Sequence, residues 1–457
     1  MSADEFDVVV LGGGSGGYAA AIRAAELGKS VALVEEDKLG GTCLHRGCIP
    51  TKALLHAAEV ADTIRDSGSI GITATLEGID MPAVARWRDG VVGGKYKGLQ
   101  SLISHRGITV VTGTGNLASD ATVQVGDRVL RGTDVILATG SFSRTLPGVD
   151  VAGRVLTSEG ALALESVPHS VIVLGGGVIG VEFASLWRSL GAEVTIVEAL
   201  DHLIANEDAS SRKALERAFR RRGITSHLSA RVESVAQTTD AAQVTLEDGT
   251  TLSADYVLVS VGRGPRTSGI GLEGAGVALD RGFVVTDEHL QTTVPHVWAV
   301  GDIVPGLQLA HRGFQQGIFV AEQIAGLNPA LVPDQHVPRV TYSHPEVASV
   351  GLTEQQAIDA HGADSIATYE YNLAGNGKSH ILGTNGIVKV VRAKNGPVLG
   401  VHMVGDRVGE LISEAQLVVG WEAHPEDVTP YVHAHPTQSE ALGEAFLALA
   451  GKPLHAI

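Results

Sequence analysis

One local pattern occurs twice in this chain, and few folds accommodate it. The first copy begins with Phe6-Asp7-Val8-Val9-Val10-Leu11, an apolar run that reads as a buried parallel strand. Gly12-Gly13-Gly14-Ser15-Gly16-Gly17 follows, then an expected helix from Tyr18 to about Leu27 and a second strand, Ser30 to Val34, that ends on Glu35. The second copy runs from a strand at Ser170 to Leu174 into Gly175-Gly176-Gly177-Val178-Ile179-Gly180. An expected helix from Val181 to about Leu190 and a strand from Glu193 to Val197 follow, ending on Glu198. First glycine and acid are 23 residues apart in both copies, 12 to 35 and 175 to 198. Gly12, Gly14 and Gly17, like Gly175, Gly177 and Gly180, permit a tight turn, close approach of a pyrophosphate and close packing of helix on strand. The helix N-terminus faces the phosphates, and the acid accepts hydrogen bonds from ribose hydroxyls. A glycine-rich turn alone is a weak signal. Strand, turn, helix, strand and acid in that order, twice, predict two Rossmann-like dinucleotide-binding domains in an α/β chain. Two such sites imply two cofactors that exchange electrons, or a cofactor and a co-substrate.

The other informative stretch is Gly40-Gly41-Thr42-Cys43-Leu44-His45-Arg46-Gly47-Cys48-Ile49-Pro50-Thr51-Lys52. It holds both cysteines of the protein, with four residues between them. A structural disulfide is a poor reading, because a chain of 457 residues can bury a core without staples and so short a loop stabilises little. Structural zinc takes four ligands, more than this stretch offers. Redox chemistry is the favoured reading of a lone thiol pair. Positions five apart lie ~140° apart on an ideal helix. A Cys43–Cys48 bridge therefore needs an irregular helix start, which Gly47 and Pro50 allow. A strained, accessible disulfide is easily reduced.

The length corresponds to about three domains. A net charge of −17 argues against nucleic-acid binding and permits attraction to a basic protein partner. The acidic start, Met1 to Asp7, does not read as a signal peptide, and no uncharged apolar run is long enough to span a membrane. A cytoplasmic protein is expected. Residues 80–106 are expected to be helical, and Ile108 to Thr112 to be a strand leading to Gly113-Thr114-Gly115. Val129 to Leu137 is a further expected strand, ending at Ala138-Thr139-Gly140-Ser141. Pro147-Gly148 marks a turn and the first boundary. Val297 to Asp302 is another apolar strand ending in Gly-Asp, followed by a helix from about Ala310 to Ala325. From about His336 the pattern changes to α+β. Strands at Ile387–Arg392 and Val398–Val404 form a hairpin-like pair, and helices are expected at Gly409–Val419 and Thr437–Ala450. The expected division is 1–147 and 273–335 for the first domain, 148–272 for the second and 336–457 for the last.

Taken together, the Gly41-Thr42-Cys43…Gly47-Cys48-Ile49-Pro50-Thr51-Lys52 stretch, the two glycine turns, Ala138-Thr139-Gly140, Gly301-Asp302 and His435-Pro436-Thr437-Gln438-Ser439-Glu440 resemble the flavin-dependent pyridine nucleotide–disulfide oxidoreductases. The resemblance covers the whole chain and is strongest to the members that oxidise dihydrolipoamide. It implies that the first glycine turn, with Glu35, Thr42, Lys52, Gly115, Thr139, Gly140, Ser141, Asp302 and Ala310, holds FAD. It implies that the second turn, with Glu198, Val232 and Gly262, holds NAD. It makes Cys43 the interchange thiol, Cys48 the thiol nearer the flavin, His435 the base, Glu440 its orienter, and Lys52–Glu182 an ion pair beside the flavin. The last segment would be a dimerisation domain, and the His–Glu pair would reach the disulfide of the other subunit in a homodimer. The implied partners are lipoyl domains and the acyltransferase core of 2-oxo acid dehydrogenase complexes.

NAD rather than NADP follows from the residues themselves. A carboxylate at Glu198 repels a 2′-phosphate, and no Arg lies between Glu198 and Arg212 to receive one. Two departures stand out. His45 and Arg46 replace the family's usual Asn and apolar residue, and Arg46 is expected to shift the thiol pKa values. Residues 375–386 follow the family only loosely. His433 is expected to be a surface histidine. Mercuric reductases and large thioredoxin reductases use further redox pairs, for which this chain has no cysteines. Glutathione- or mycothiol-disulfide reduction, usually with NADP, and a structural flavoprotein subunit remain as alternatives.

Overall fold

The computed structural model describes residues 3–118 and 121–455. The chain opens with β1 (Asp4–Leu11), α1 (Ser15–Glu26) and β2 (Val31–Glu35), then α2 (Gly41–Arg46), α3 (Cys48–Asp66) and α4 (Met81–His105). Next come β3 (Thr109–Thr112), β4 (Gly115–Ala118), β5 (Thr122–Val125) and β6 (Arg128–Leu137). These strands form one sheet in the order β3-β2-β1-β6-β5-β4, with β1 parallel to both β2 and β6. Alternate residues of β1 serve opposite faces. Val9 and Leu11 join one core with Val34, Val135 and Leu137, while Val8 and Val10 join another with Leu33 and Ile136. Burial on both faces is why the strand is apolar throughout rather than alternating. The antiparallel β4–β5 pair is an extension without a clear sequence signature.

After β7 (Ser141–Ser143) and β8 (Val155–Leu156), the second unit runs through α5 (Ser158–Leu162), β9 (Ser170–Leu174), α6 (Val178–Leu190), β10 (Glu193–Val197), α7 (Ala209–Arg221) and β11 (Thr225–His227). An antiparallel sheet of β12 (Val232–Gln237), β13 (Ala242–Leu246) and β14 (Thr251–Ala254) precedes β15 (Tyr256–Val259). The main sheet here has the order β11-β10-β9-β15-β8. As in β1, the residues of β9 divide: Val171 and Val173 face one core, Ile172 and Leu174 another. Both α1 and α6 begin about one turn earlier than expected, because the last glycine-turn residues already belong to the helix.

The chain then passes β16 (Arg263–Pro265), which pairs with β7, and the short pair β17 (Leu279–Asp280) and β18 (Phe283–Val284). It re-enters the first sheet as β19 (Val297–Ala299), parallel to β6, and continues into α8 (Ala310–Ile324).

The remainder is an antiparallel sheet, in the order β20-β21-β24-β23-β22, made of β20 (Arg339–Thr341), β21 (Glu346–Gly351), β22 (Ile366–Asn372), β23 (Ile387–Ala393) and β24 (Val398–Gly405). Its helices are α9 (Glu354–His361), α10 (Gly377–Ile381), α11 (Val408–Gly420), α12 (Pro425–Val428) and α13 (Glu440–Leu449), and residues of α11 and α13 share one apolar core with the sheet. The last helix starts at Glu440 instead of Thr437. The Thr437 N–H donates to the Glu440 carboxylate and the Thr437 hydroxyl to Ala434 O, so these residues form a turn ahead of the helix. Residues 375–386 fold as a turn followed by α10, with the Asn376 side chain accepting from Ser379 N–H at the helix start. Among the described residues no helix is long and apolar enough to cross a membrane.

Candidate active site

Both glycine turns are built alike. Gly12 and Gly175 have φ of +105° and +104°, a region that disfavours side chains. A Cβ on Gly17 would lie 1.8 Å from Gly12 O, and one on Gly180 would lie 2.0 Å from Gly175 O. The acids also match. Glu35 accepts from Gly13 N–H at 2.7 Å and from Asp37 N–H at 2.9 Å. Glu198 accepts from Gly176 N–H at 2.6 Å and Leu200 N–H at 2.7 Å. Each carboxylate keeps lone pairs for ribose hydroxyls. Burial raises the Glu35 pKa above the usual carboxylate range, against the Gly13 N–H that lowers it.

The helix starts above these turns lack side-chain caps, and a Cβ on Gly14 or Gly177 would meet only open space. Free N–H groups facing room at the start of α1 and α6 fit the pyrophosphate of a dinucleotide. At the first turn a cleft brings together Gly12, Gly14, Glu35, Thr42, Gly115 and the Thr139-Gly140-Ser141 run. Asp302 accepts from the Ser141 hydroxyl, and Ala310 opens α8. These groups fit FAD. At the second turn, Val178 is exposed, Ile179 packs on the core beneath α6, and Gly262 follows β15, the neighbour of β9. Val232 packs on the core that contains Leu174 and Val197, below the turn. These groups fit NAD.

The thiols sit where α2 breaks into α3. Gly47, at φ −142° and ψ −108°, interrupts the helix, so Cys43 lies within one short segment and Cys48 starts the next. The two side chains hydrogen-bond to each other. Their protons are held unequally. The bond from Cys43 lowers the Cys48 thiol to about 7, helped by the Lys52 ammonium and opposed by burial and Glu182. The same bond, then burial and the charge on Cys48, push Cys43 up, against Lys52 and the Ser15 hydroxyl. The start of the long helix α3 adds a favourable dipole for a Cys48 thiolate. Arg46, in the same stretch, pairs with Asp37 at the cleft.

One turn along α3, Lys52 Nζ lies 2.9 and 2.8 Å from the two carboxylate oxygens of Glu182 on α6. Glu182 also accepts from Tyr342 N–H at 2.9 Å, and Lys52 sits 4.6 Å over the Tyr342 ring. Burial pulls the Lys52 ammonium down, but Glu182 and Cys48 outweigh it and leave its pKa above the usual lysine value. The first unit, the second unit and the C-terminal sheet thus meet beside Cys48. Arg263 is equally central. It donates to Ser141 Oγ at 2.7 Å and Ser141 O at 2.9 Å, behind the hydroxyl that reaches Asp302. Neither Arg263 nor Tyr342 is marked by a motif. The only local sign of Arg263 is its place after Gly262 at a strand end. Tyr342 has no local sign, since Glu182 is 160 residues away.

His435 lies ahead of α13, its Nδ1 2.9 Å from Glu440 Oε1, while Glu440 Oε2 accepts from Thr437 N–H at 2.8 Å. Burial raises the Glu440 pKa, but the Thr437 N–H and His435 leave it below the usual carboxylate range. Among the described residues no hydrogen bond or ion pair joins His435 or Glu440 to the thiols. His433 is not a surface residue. Its ring is mostly buried and 2.8 Å from Glu414 on α11, because α13 passes close enough to cover it.

The sequence pattern of the pyridine nucleotide-disulphide oxidoreductases matches residues 6–317, and that of their dimerisation domain matches residues 337–446. A dihydrolipoyl dehydrogenase of Bacillus subtilis is 41% identical over 99% of this chain and 100% of its own length. The mitochondrial dihydrolipoyl dehydrogenase 1 of Arabidopsis thaliana is 38% identical over 99% of this chain and 92% of its own. Among solved structures, LpdA of Mycobacterium tuberculosis superposes with a TM-score of 0.90 at 27% identity, covering 98% of this chain and 99% of that one.

Proposed function

This chain belongs to the pyridine nucleotide-disulphide oxidoreductases, and on that premise we propose that it oxidises dihydrolipoamide to lipoamide with NAD as acceptor. The overall reaction is dihydrolipoamide + NAD⁺ → lipoamide + NADH + H⁺. The reading is supported by relatives called dihydrolipoyl dehydrogenase along the full chain. The observation that carries it is the placement of Cys43 and Cys48 across the break between α2 and α3, one turn from the Lys52–Glu182 ion pair.

In the oxidised pair, one substrate sulfur attacks Cys43 Sγ. The Cys43–Cys48 bond breaks, and Cys48 leaves as a thiolate steadied by Lys52. His435, oriented by Glu440, takes the substrate's thiol proton. The second substrate sulfur then displaces Cys43, which gives lipoamide and a reduced cysteine pair. FAD, when bound by the Gly12–Gly17 turn, Glu35, Thr42, Lys52, Gly115, Thr139, Gly140, Ser141, Asp302 and Ala310, supplies two-electron chemistry between that pair and NAD. Gly175, Gly177, Gly180 and Glu198 would receive NAD, and the carboxylate of Glu198 disfavours the 2′-phosphate of NADP.

The dimerisation domain supports a homodimer. In it, His435 and Glu440 would serve the cysteine pair of the partner subunit. The substrate would arrive on lipoyl domains, and the acidic chain would dock on a basic region of an acyltransferase core. A chain whose two cysteines both serve redox chemistry suits a reducing compartment such as the cytoplasm. Turnover tests the reading. Purified flavoprotein should reduce NAD with free dihydrolipoamide and prefer NAD to NADP. A protein that ignores the dithiol yet reduces glutathione or mycothiol disulfide would overturn it.

A further inference from the structure

The loop that carries His435 holds a second imidazole–carboxylate pair. His433 Nε2 lies 2.8 Å from Glu414 Oε1 on α11. The side chain of His433 is 16% exposed and that of His435 is 78% exposed, so the two histidines live in different surroundings. A Cβ at position 443 would stand 2.6 Å from His433 Nδ1, so the absence of a side chain there lets α13 lie directly on the ring. Glu440, which holds His435, is three residues earlier on that helix and shares its face. The rest of the loop is tied down as well. Asn376 Nδ2 donates to Thr437 O at 3.0 Å, and Thr437 Oγ1 donates to Ala434 O at 2.6 Å.

We propose that His433, held by Glu414 and packed under α13, is a positioning residue that sets how strongly Glu440 holds His435, and so how readily His435 takes a proton. This rests on the reading of His435 as the base. The charged groups facing His433 are Glu414 from α11 and Glu440 from α13. From β22, Tyr371 faces Glu444 and Glu440. The Glu414 bond raises the His433 pKa above the usual histidine value in spite of burial. His433 lies against α13 at Gly443, one turn from Glu440, so a charge on its ring is felt at the carboxylate that holds His435. With His433 uncharged, Glu440 would serve His435 alone, and His435 would keep a proton to higher pH.

Histidine-labelled, flavin-loaded dimer can be titrated by NMR without substrate, with the His435 signal identified by its loss in His435→Ala. In the wild type, His433 should titrate above about 6.5, the ordinary histidine value. In His433→Gln the His435 midpoint should rise by on the order of half a pH unit, the size of one unit charge felt across partly solvated protein, whereas Glu414→Gln, which removes an anion along with the cation it supports, should move it less. The acid limb of kcat/KM for dihydrolipoamide should move with it. A His433 that is neutral at pH 7 in the wild type overturns the inference without any variant. So does an unmoved His435 midpoint in a His433→Gln protein that keeps its flavin and elutes as a dimer. A purely structural His433 would lower activity and leave that midpoint in place. Failure of the wild type to oxidise dihydrolipoamide would sink the functional reading alone, because the midpoints are read without turnover.

Discussion

The thiol arm and the histidine arm of the site are finished to different degrees. Around Cys48 the chain answers its own polar groups. The Glu182 side chain is 4% exposed and satisfied by Lys52 and Tyr342 N–H, each from a different part of the fold. Around His435 it does not. That imidazole has Glu440 on one side and solvent on the other, and Trp421, Tyr431 and Val432 nearby in sequence are 74%, 75% and 95% exposed. The polar groups of one arm are answered within a single chain, and those of the other stand open on one side.

Complementation between subunits gives the largest effect that could break this comparison. Cys43→Ser and His435→Ala homodimers should each lose dithiol oxidation, by about 100-fold or more for the base. Co-expressed, they form mixed dimers with one doubly damaged and one intact site. Random pairing makes about half the dimers mixed, so activity should return to roughly a quarter of wild type. Proven mixed dimers without recovered turnover would place both arms in one chain.

Stability sharpens the same contrast. Glu182→Ala strands Lys52 and the Tyr342 N–H, and should cost about 3 kcal/mol. Replacing both partners, Lys52→Met with Glu182→Leu, should cost less than the single change, since no charge is then left without its partner. Glu440→Ala on the exposed arm should cost under about 1 kcal/mol in stability while still lowering turnover. Thermal midpoints of the flavin-loaded proteins decide it. Equal losses on the two arms would mean the histidine arm is as self-sufficient as the thiol arm.

The arms also differ in how legibly they are written. The glycine turns can be read because their constraint is local: Gly17 must clear Gly12 O, and Gly180 must clear Gly175 O, within one turn of chain. The break between α2 and α3 is similar, since Cys43, Gly47 and Cys48 are neighbours. Strands buried on both faces announce themselves by unbroken apolar runs. The misses come from contacts that no local pattern records. His433 reads as a surface residue until α13 is laid across it. Arg46 reads as a neighbour of the thiols, and no local sign marks Asp37 as its partner. The start of α13 lies at Glu440 rather than Thr437, with Thr437 held in a turn ahead of it by the Glu440 carboxylate and Ala434 O. Lys52 and Glu182 are 130 residues apart and could be paired only through the family resemblance.

The smallest expected effect lies at the joint between the arms. Glu346 on β21 accepts from Gly409 N–H at 2.9 Å, at the start of α11, which carries Glu414. Burial, then Asp406 and Glu410 from the histidine side and Glu59 from α3, push its pKa up to about 7, against that N–H. A carboxyl raised in the folded state is protonated more readily there than in the unfolded chain. Its contribution to stability is therefore fully present below about 4.5 and is lost as pH rises to about 7. The loss is roughly 2 kcal/mol once partial exposure is allowed for. Glu346→Gln keeps an acceptor for Gly409 and removes the charge. It should raise the thermal midpoint by about 2 °C at pH 8 and by less at pH 5.5. The same gain at both pH values would mean that the ionised carboxylate is not what strains the joint. A gain confined to high pH would mean that the two arms are held together less firmly as that carboxyl ionises.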